Sequence, residues 1–278
     1  MGNKKKMVFV IAEAGVNHNG DLDTAMKLID AAASAGADAV KFQTFDAATL
    51  DPPGERREML ERMQLTWVSH LALKQHADDL GIEFISTPFD EWALNFLVND
   101  LGLKTLKIAS GASLKNKPLL QAARQTDCKL IISTGATTLS EVLDLWGILG
   151  RGTFLHCVSA YPPPIEEMNL RAIVTMRDAL VPLGGGVGLS DHSEGFEAAL
   201  AAVPLGATVI EKHLTLDRNM EGPDHEASLE EDEFNDMVAG IRMIEQMLGD
   251  GIKRPQPCEA QAVKIAAERE AWRRRRAA

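Results

Sequence analysis

About eight times along this sequence a short apolar run breaks off in polar side chains and gives way to a stretch with helical periodicity. The runs lie at residues 8–12, 38–43, 82–87, 104–110, 129–135, 153–158, 186–190 and 207–213. Short apolar runs bounded by Gly, Pro and Asp are buried strands, and strands that alternate with helices form a parallel sheet covered on its outer face. Asp21 is placed to cap a first helix whose Leu22, Ala25, Met26, Ile29, Ala32 and Ala33 make one stripe, with Gly36 at its end. Further helices are expected over 66–80, 91–99, 117–126, 140–149, 169–180, 197–204 and 230–248, while the stretch through Pro52-Pro53-Gly54 reads as a long connection. About eight such units close a TIM (β/α)8 barrel. The alternative, an open doubly wound sheet, announces itself by a Gly-rich phosphate loop after its first strand, and GVNHNG does not fit that pattern. We therefore expect one α/β TIM-barrel domain over 1–250. Residues 251–278, with Pro255, Pro257 and the charged 259–276 run, form a tail that is a helix or a frayed terminus.

In such a barrel the chemistry sits at the C-terminal ends of the strands. Those ends carry Glu13, Lys41, Gln43, Thr87, Lys107, Ser110, Ser133, Ser190, His192, Glu211 and His213, too many polar side chains around one rim to be explained as capping. A formal net charge of −11 over 278 residues argues against nucleic acid as the main partner and requires a locally basic pocket for any anionic substrate. Three cysteines, Cys128, Cys157 and Cys258, without C-x-x-C spacing fit free thiols in a reducing compartment. The apolar run near the start is too short for a signal peptide or a membrane span, so a cytoplasmic location and no membrane partner are expected.

The last run is the most informative. Because strand side chains alternate, Val209, Glu211 and His213 share one face, and Asp191-His192 ends the preceding run on the same plan. If the two strands are neighbours, His192 and His213 converge on a metal ion, with Asp191 and Glu211 close enough to orient an imidazole or take a proton. The plainer alternative is two independently hydrogen-bonded histidines. Lys41 and Lys107, read as the ends of neighbouring strands, together with Thr87, Ser110, Ser133 and Ser190 make a site for a small phosphate-bearing anion; taken singly, either lysine could be a surface charge. Two nitrogen ligands with the remaining positions open suit Mn2+, Mg2+ or Co2+ better than a closed zinc site, and such an ion polarises a substrate oxygen or activates a water. Glu13 and Glu211 could serve as acid, base or sugar-hydroxyl acceptor. A phosphate beside a metal-bound carbonyl suggests condensation.

With these residues in place, IAEAGVNHNG at 11–20, VKFQTF at 40–45, STPFD at 86–90, KIASG at 107–111, STG at 133–135, LHCVSAYP at 155–162, GLSDH at 188–192, EKH at 211–213 and GPDHEASL at 222–229 form an ordered set. It resembles the sialic acid (N-acetylneuraminate) synthase family with its legionaminate, pseudaminate and spore-coat polysaccharide relatives. The resemblance implies condensation of phosphoenolpyruvate with the open-chain aldehyde of a 2-acetamido sugar such as N-acetylmannosamine, giving a nonulosonic acid and phosphate. It implies that Lys41, Thr87, Lys107, Ser110, Ser133 and Ser190 hold phosphoenolpyruvate and that His192 and His213 hold the metal, Mn2+ first among the candidates. Glu13, Gln43, Tyr161, Glu211 and Asp224 would then face the reacting centre or the sugar. Tyr161 could instead pack beside the prolines that follow it.

Three departures stand out. Ala112 replaces an acidic residue that many relatives carry after KIxSG, and Ser159 stands where an Asn often precedes the Tyr-Pro pair. The family usually continues into an antifreeze-like cap domain, whereas this sequence stops at Ala278, and Arg273–Arg276 read as a solvated basic tail rather than a substitute for the cap's arginine. A homo-oligomer and a separate cap-domain protein are the assemblies this leaves open. The rival readings are another phosphoenolpyruvate–aldose condensing synthase and a non-catalytic sugar-binding barrel.

Overall fold

The computed structural model describes residues 7–277; residues 1–6 with their lysines, residue 278 and the side chains of residues 112 and 113, hence the Ala112 departure, lie outside the described residues. Eight parallel strands close in sequence order into a TIM barrel: β1 Phe9–Gly15, β2 Ala39–Thr44, β3 Glu83–Pro88, β4 Thr105–Ile108, β5 Lys129–Ser133, β6 Thr153–Cys157, β7 Gly186–Asp191 and β8 Val209–His213. β8 pairs back onto β1 and sets His213 beside Glu13, while β7 sets Ser190 beside Glu211.

The helices fall where the apolar stripes place them. α1 (Leu22–Ser34) is capped by the Asp21 side chain, which accepts from the Thr24 N–H, and α4 (Trp67–Leu80) by Thr66. The stretch through Pro52-Pro53-Gly54, read from the sequence only as a long connection, contains two helices, α2 (Ala47–Leu50) and α3 (Glu55–Met63). The charged string ERREMLERM hid α3, because only Met59, Leu60 and Met63 carry its apolar side. α5 (Glu91–Asn95) runs on into a π-helical turn at Phe96–Asp100, and α6 (Lys117–Gln125), α7 (Leu139–Leu149), α8 (Ala172–Leu180), α9 (Glu197–Leu205) and α10 (Glu231–Met247) complete the outer ring.

Two apolar layers follow from strand alternation. Side chains pointing outward, among them Val10, Val40, Phe42, Leu106, Ile132, Phe154, Leu189 and Ile210, meet the helices in the main core. Inward, Ile11, Ala39, Ile85, Ile131, Leu155 and Val209 plug the lower barrel. Each large member contributes about 1.5–3 kcal/mol on burial. At β7 the plug has no room for a side chain: a Cβ on Gly188 would lie 2.2 Å from the Val209 carbonyl oxygen.

The chain divides into two compact units, one ending at Glu245 and the other beginning at Gln246. In the second, α11 (Ala260–Ala277) is helical and exposed along its length, with the Arg276 guanidinium 4.9 Å above the Trp272 ring.

Candidate active site

Two residues above the apolar plug, every strand turns polar on the same inward face. Ile11 is followed by Glu13, Ala39 by Lys41, Ile85 by Thr87, Thr105 by Lys107, Ile131 by Ser133, Leu155 by Cys157, Gly188 by Ser190 and Val209 by Glu211. All these upper side chains are buried, and they form the floor of a cavity of about 410 Å3 at the C-terminal mouth of the barrel. Of the residues assigned to the site from sequence, all but Asp191 line that cavity: Glu13, Lys41, Gln43, Thr87, Lys107, Ser110, Ser133, Tyr161, Ser190, His192, Glu211, His213 and Asp224.

Lys41 and Lys107 are not on neighbouring strands, since β3 lies between β2 and β4. They meet instead across the barrel, where inward side chains of alternate strands share a layer. Lys41 Nζ lies 3.1 Å from Glu13 and 3.4 Å from Glu211 and donates to Thr87 Oγ1 at 3.2 Å; Lys107 Nζ lies 3.1 Å from the other oxygen of Glu211. Ser190 Oγ donates to that same oxygen at 2.9 Å. The environment drives the two carboxyls apart. Burial pushes the Glu13 pKa up to about 7, with Lys41 opposing the rise and the Glu211 charge adding to it. Burial also works against ionisation of Glu211, but Lys107, Lys41 and the Ser190 hydroxyl overcome it and hold that carboxyl below the usual range. Burial lowers the Lys107 pKa despite Glu211, whereas for Lys41 burial is outweighed by its two carboxylates and the pKa rises. With Glu13 protonated, two ammonium groups face one carboxylate, a surplus of positive charge on the floor.

Hydroxyls surround this floor. Ser110 Oγ accepts from the Gly135 N–H at 2.9 Å, Ser133 Oγ is buried without a hydrogen-bond partner, and Ser159 comes so close to Gly135 that a Cβ there would sit 2.1 Å from Ser159 Oγ. Ala136, in the left-handed region at φ 57°, also lines the cavity, and backbone held there by a side-chain-bearing residue is a feature of ligand clamps.

His192 and His213 converge as expected, with ring centroids 5.3 Å apart. Tyr161 stacks on His192 at 4.0 Å and meets His213 edge-on at 5.7 Å, so it covers the pair rather than packing on the prolines after it. The Val158 carbonyl accepts from His192 Nδ1 at 2.9 Å, which leaves the lone pair of a neutral ring on Nε2. Burial, His192 and Lys41 hold the His213 pKa well below its ordinary value, and its Nδ1 is buried without a hydrogen bond, 3.7 Å from Asp224. An orphaned neutral imidazole beside a second one fits a divalent ion that takes its remaining ligands from water and substrate. Among the described residues no group of three or more His, Cys, Asp and Glu side chains makes an all-protein metal site.

At the end of β1 the register with β2 shifts between Glu13 and Gly15, and Gly15 turns to φ 53°. A Cβ there would lie 3.3 Å from Glu13, 3.4 Å from Asp224 and 3.5 Å from Gln43, so the glycine lets these three side chains converge. Gln43 Nε2 donates to Glu13 at 3.3 Å.

Asp191 does not reach an imidazole. It points outward, where its Oδ1 accepts from the Ser193 N–H at 2.9 Å and hydroxyl at 2.6 Å and its Oδ2 lies 3.5 Å from Lys212 Nζ, while Lys212 also donates to the Ser193 carbonyl. Both side chains are completely buried, and together they tie the segment carrying His192 to the strand carrying His213. Glu211 likewise bonds lysines and Ser190, not a histidine. Cys157 was missed from the sequence: its Sγ lies 3.8 Å from His192 Nδ1 and 3.7 Å from Ser110 Oγ. Burial opposes ionisation of this thiol, but His192, Ser110 and Lys107 lower its pKa; reciprocally Cys157 and the Val158 carbonyl raise that of His192 against burial. Strand parity alone, two residues above Leu155, could have found it. Val16, Met59, Leu60, Met63 and Phe89, also missed, form an apolar side of the cavity.

Comparison with known proteins adds three findings. A model described as NeuB family matches residues 28–253. The chain is 42% identical over 282 residues to an N,N'-diacetyllegionaminic acid synthase of Campylobacter jejuni, covering 94% of this chain and 83% of that one, and 43% identical over 276 residues to a protein of the same description from Legionella pneumophila, covering 90% and 76%. Among solved structures, an N-acetylneuraminic acid (sialic acid) synthetase from Leptospira borgpetersenii, in complex with citrate, superposes with a TM-score of 0.86 at 37% identity, covering 93% of this chain and 91% of that one.

Proposed function

The chain belongs to the NeuB family of sialic-acid-type synthases, and from that premise we propose that it condenses phosphoenolpyruvate with the open-chain aldehyde of an N-acyl amino sugar, forming a nonulosonic acid and inorganic phosphate. The observation that carries this reading is the buried floor: two lysines against one ionised carboxylate, ringed by hydroxyls, beneath two convergent imidazoles. A small, highly charged anion gains charge-assisted hydrogen bonds there, each worth about 1.5–3 kcal/mol. Ser133, buried without a partner, and Ser110 and Thr87 are the hydroxyls placed to bind it.

His192 and His213 would hold a divalent ion, Mn2+ in the first place and Mg2+ or Co2+ as substitutes, which when bound draws electron density from the aldehyde oxygen. In the reaction the methylene carbon of phosphoenolpyruvate bonds to the aldehyde carbon, one water is consumed, and the phosphate leaves. Glu13, which gains and loses its proton near neutrality, is the group suited to give the aldehyde oxygen its proton, while Glu211 remains ionised and aims both lysines. Gln43, Asp224 and Tyr161 stand around the same opening and position the sugar.

Phosphate release from phosphoenolpyruvate, with Mn2+ present, against a panel of N-acyl amino sugars, unsubstituted aldoses and aldose phosphates tests the proposal. Release should require an N-acyl amino sugar. A preference for aldose phosphates would move the chain to a different condensation, and no release with any member would reject the reading.

A further inference from the structure

The GVNHNG turn after β1, which fits no phosphate loop, has a different role in the fold. After β8 the chain forms a loop of residues 215–228 without helix or strand, and Pro223 and Asp224 of that loop line the cavity. Its two ends are pinned together. The Leu214 N–H donates to the Glu13 carbonyl at 2.8 Å, the Leu229 N–H to that of His213 at 2.9 Å, and the Thr215 N–H to that of Leu229 at 2.9 Å. Between these ends no backbone ladder fixes Asp224, so side chains have to hold it. Two asparagines of the turn do so. Asn17, 1% exposed, gives one amide hydrogen to the Leu214 carbonyl and the other to Ser228 Oγ, both at 2.9 Å. Ser228 Oγ in turn donates to the Asp224 carbonyl at 2.6 Å. The directions are forced: a carbonyl only accepts, so the single hydrogen of the serine goes to Asp224 and its oxygen accepts from Asn17. An ionised aspartate at position 17 has no hydrogen with which to start this relay. On the other limb, Asn19 Nδ2 donates to the Glu221 carbonyl at 2.9 Å. The two ties bracket Asp224, three residues before it and four after.

The Asp224 carboxyl stands at the opening of the cavity, its Oδ2 3.7 Å from His213 Nδ1, and it converges with Glu13 and Gln43 around Gly15. We propose that Asn17 is a positioning residue for the sugar: through Ser228 it fixes the backbone of Asp224, while Asn19 holds the same loop at Glu221, so that the Asp224 carboxyl meets the sugar beside the histidine pair. The inference rests on the amino-sugar reading above. The ionic floor does not depend on this relay, because its contacts run among Glu13, Lys41, Thr87, Lys107, Ser190 and Glu211. Displacing a substrate-positioning group by about 1 Å can cost up to about a hundredfold in rate. Loss of the relay should therefore be felt by the sugar and not by phosphoenolpyruvate.

The test compares Asn17→Ala, Ser228→Ala and the double variant in steady-state kinetics with Mn2+, phosphoenolpyruvate and an N-acyl amino sugar accepted in the phosphate-release panel. Calorimetric titration of phosphoenolpyruvate with Mn2+ present runs alongside. Each single variant should lower kcat/KM for the sugar about tenfold and leave phosphoenolpyruvate affinity within about twofold. The double variant should match Asn17→Ala, because two members of one relay do not add. Ser228→Ala removes a single oxygen and decides the matter if Asn17→Ala fails to fold. Asp224→Ala should lose at least as much toward the sugar, and adding Ser228→Ala to it should cost less than about twofold more. Unchanged sugar kinetics in Ser228→Ala, an equal loss toward both substrates, or a full further loss when Ser228→Ala is added to Asp224→Ala overturns the inference and leaves the functional reading standing. No phosphate release by the parent with any aldose would overturn that reading and the inference with it.

Discussion

Glu211 and Lys212 are adjacent in the chain, equally buried, and belong to two different devices. On the inner face of β8, Glu211 joins Glu13, Lys41 and Lys107 beside a cavity, where Ser133 Oγ and His213 Nδ1 lack hydrogen-bond partners and the Oε2 atoms of Glu13 and Glu211 face the Lys41 ammonium at 3.1 and 3.4 Å. On the outer face, Lys212 closes on Asp191 and the Ser193 carbonyl and lines no part of that cavity. The inner cluster faces a space that a ligand can enter, with a hydroxyl and an imidazole nitrogen still unbonded; the outer pair spends its contacts on Ser193, directly after His192. Burial of a charge thus says little by itself, and neither does an unbonded carboxylate oxygen, which Asp191 Oδ2 also is; the cavity in front of the inner cluster tells the two roles apart.

The largest effect expected from this contrast is on the outer pair. Lys212→Met leaves Asp191 buried without its cation and should cost about 3–5 kcal/mol in denaturant unfolding, whereas Asp191→Leu combined with Lys212→Met should recover much of that loss. A single variant as stable as the parent would break the contrast. Next, chelation should abolish turnover and Mn2+ or Co2+ should restore it, while His213→Ala should lose more than about a hundredfold in kcat/KM, beyond the cost of removing a group that merely supports a ligand. Full activity of the chelated protein would remove the metal from the account. On the floor, Lys41→Ala and Lys107→Ala should each weaken phosphoenolpyruvate binding about tenfold to a hundredfold, far more than sugar binding, because each deletes a charge-assisted contact of about 1.5–3 kcal/mol. Calorimetry showing unchanged affinity in both variants would contradict the anion site.

The smallest effect is a slope. Folding raises the Glu13 pKa from 4.5 to about 7, so between these values the folded chain keeps a proton that the unfolded chain has released, and this group's contribution to stability falls as pH rises through the window. The slope is at most about 1.4 kcal/mol per pH unit. Glu211 acts in the opposite sense: its depressed pKa contributes stability above its unfolded value that is lost as pH falls. Unfolding curves at several pH values should therefore show Glu13→Gln losing less stability than the parent between pH 4.5 and 7, and parallel profiles would show that Glu13 titrates normally.

Much of the site was legible because a barrel strand alternates strictly. Once β8 was recognised, Val209, Glu211 and His213 had to share the inner face, and the same parity holds for Lys41 with Gln43. The same rule, applied less carefully, failed at Asp191: it follows the inward Ser190 and so must point outward, away from the imidazoles. Sequence order along the rim already puts the 82–87 strand between those of Lys41 and Lys107, so the two lysines are not neighbours there; they come together because the layer joins alternate strands across the lumen. In the sequence Cys157 is an ordinary buried thiol, and its partners, His192 Nδ1 and Ser110 Oγ, come from the ends of two other strands. α3 went unseen because its apolar side is three residues wide in a charged string behind Pro52-Pro53-Gly54; its stability comes from tertiary contact with Phe45 and Val16, which periodicity cannot report. Where the chain leaves the strict repeat of strand and helix, the pattern ceases to constrain it, and there the cavity acquires its apolar wall.

The central claim is that this floor and histidine pair join two carbon skeletons. Phosphoenolpyruvate labelled with 13C at its methylene carbon, incubated with the chain, Mn2+ and an N-acyl amino sugar accepted in the phosphate-release panel, can be followed by NMR. The account predicts that the label moves into a methylene flanked by the former keto carbon and a new secondary alcohol, in step with phosphate release. Label appearing only in the methyl group of pyruvate, with phosphate released but no new carbon–carbon bond, would contradict it.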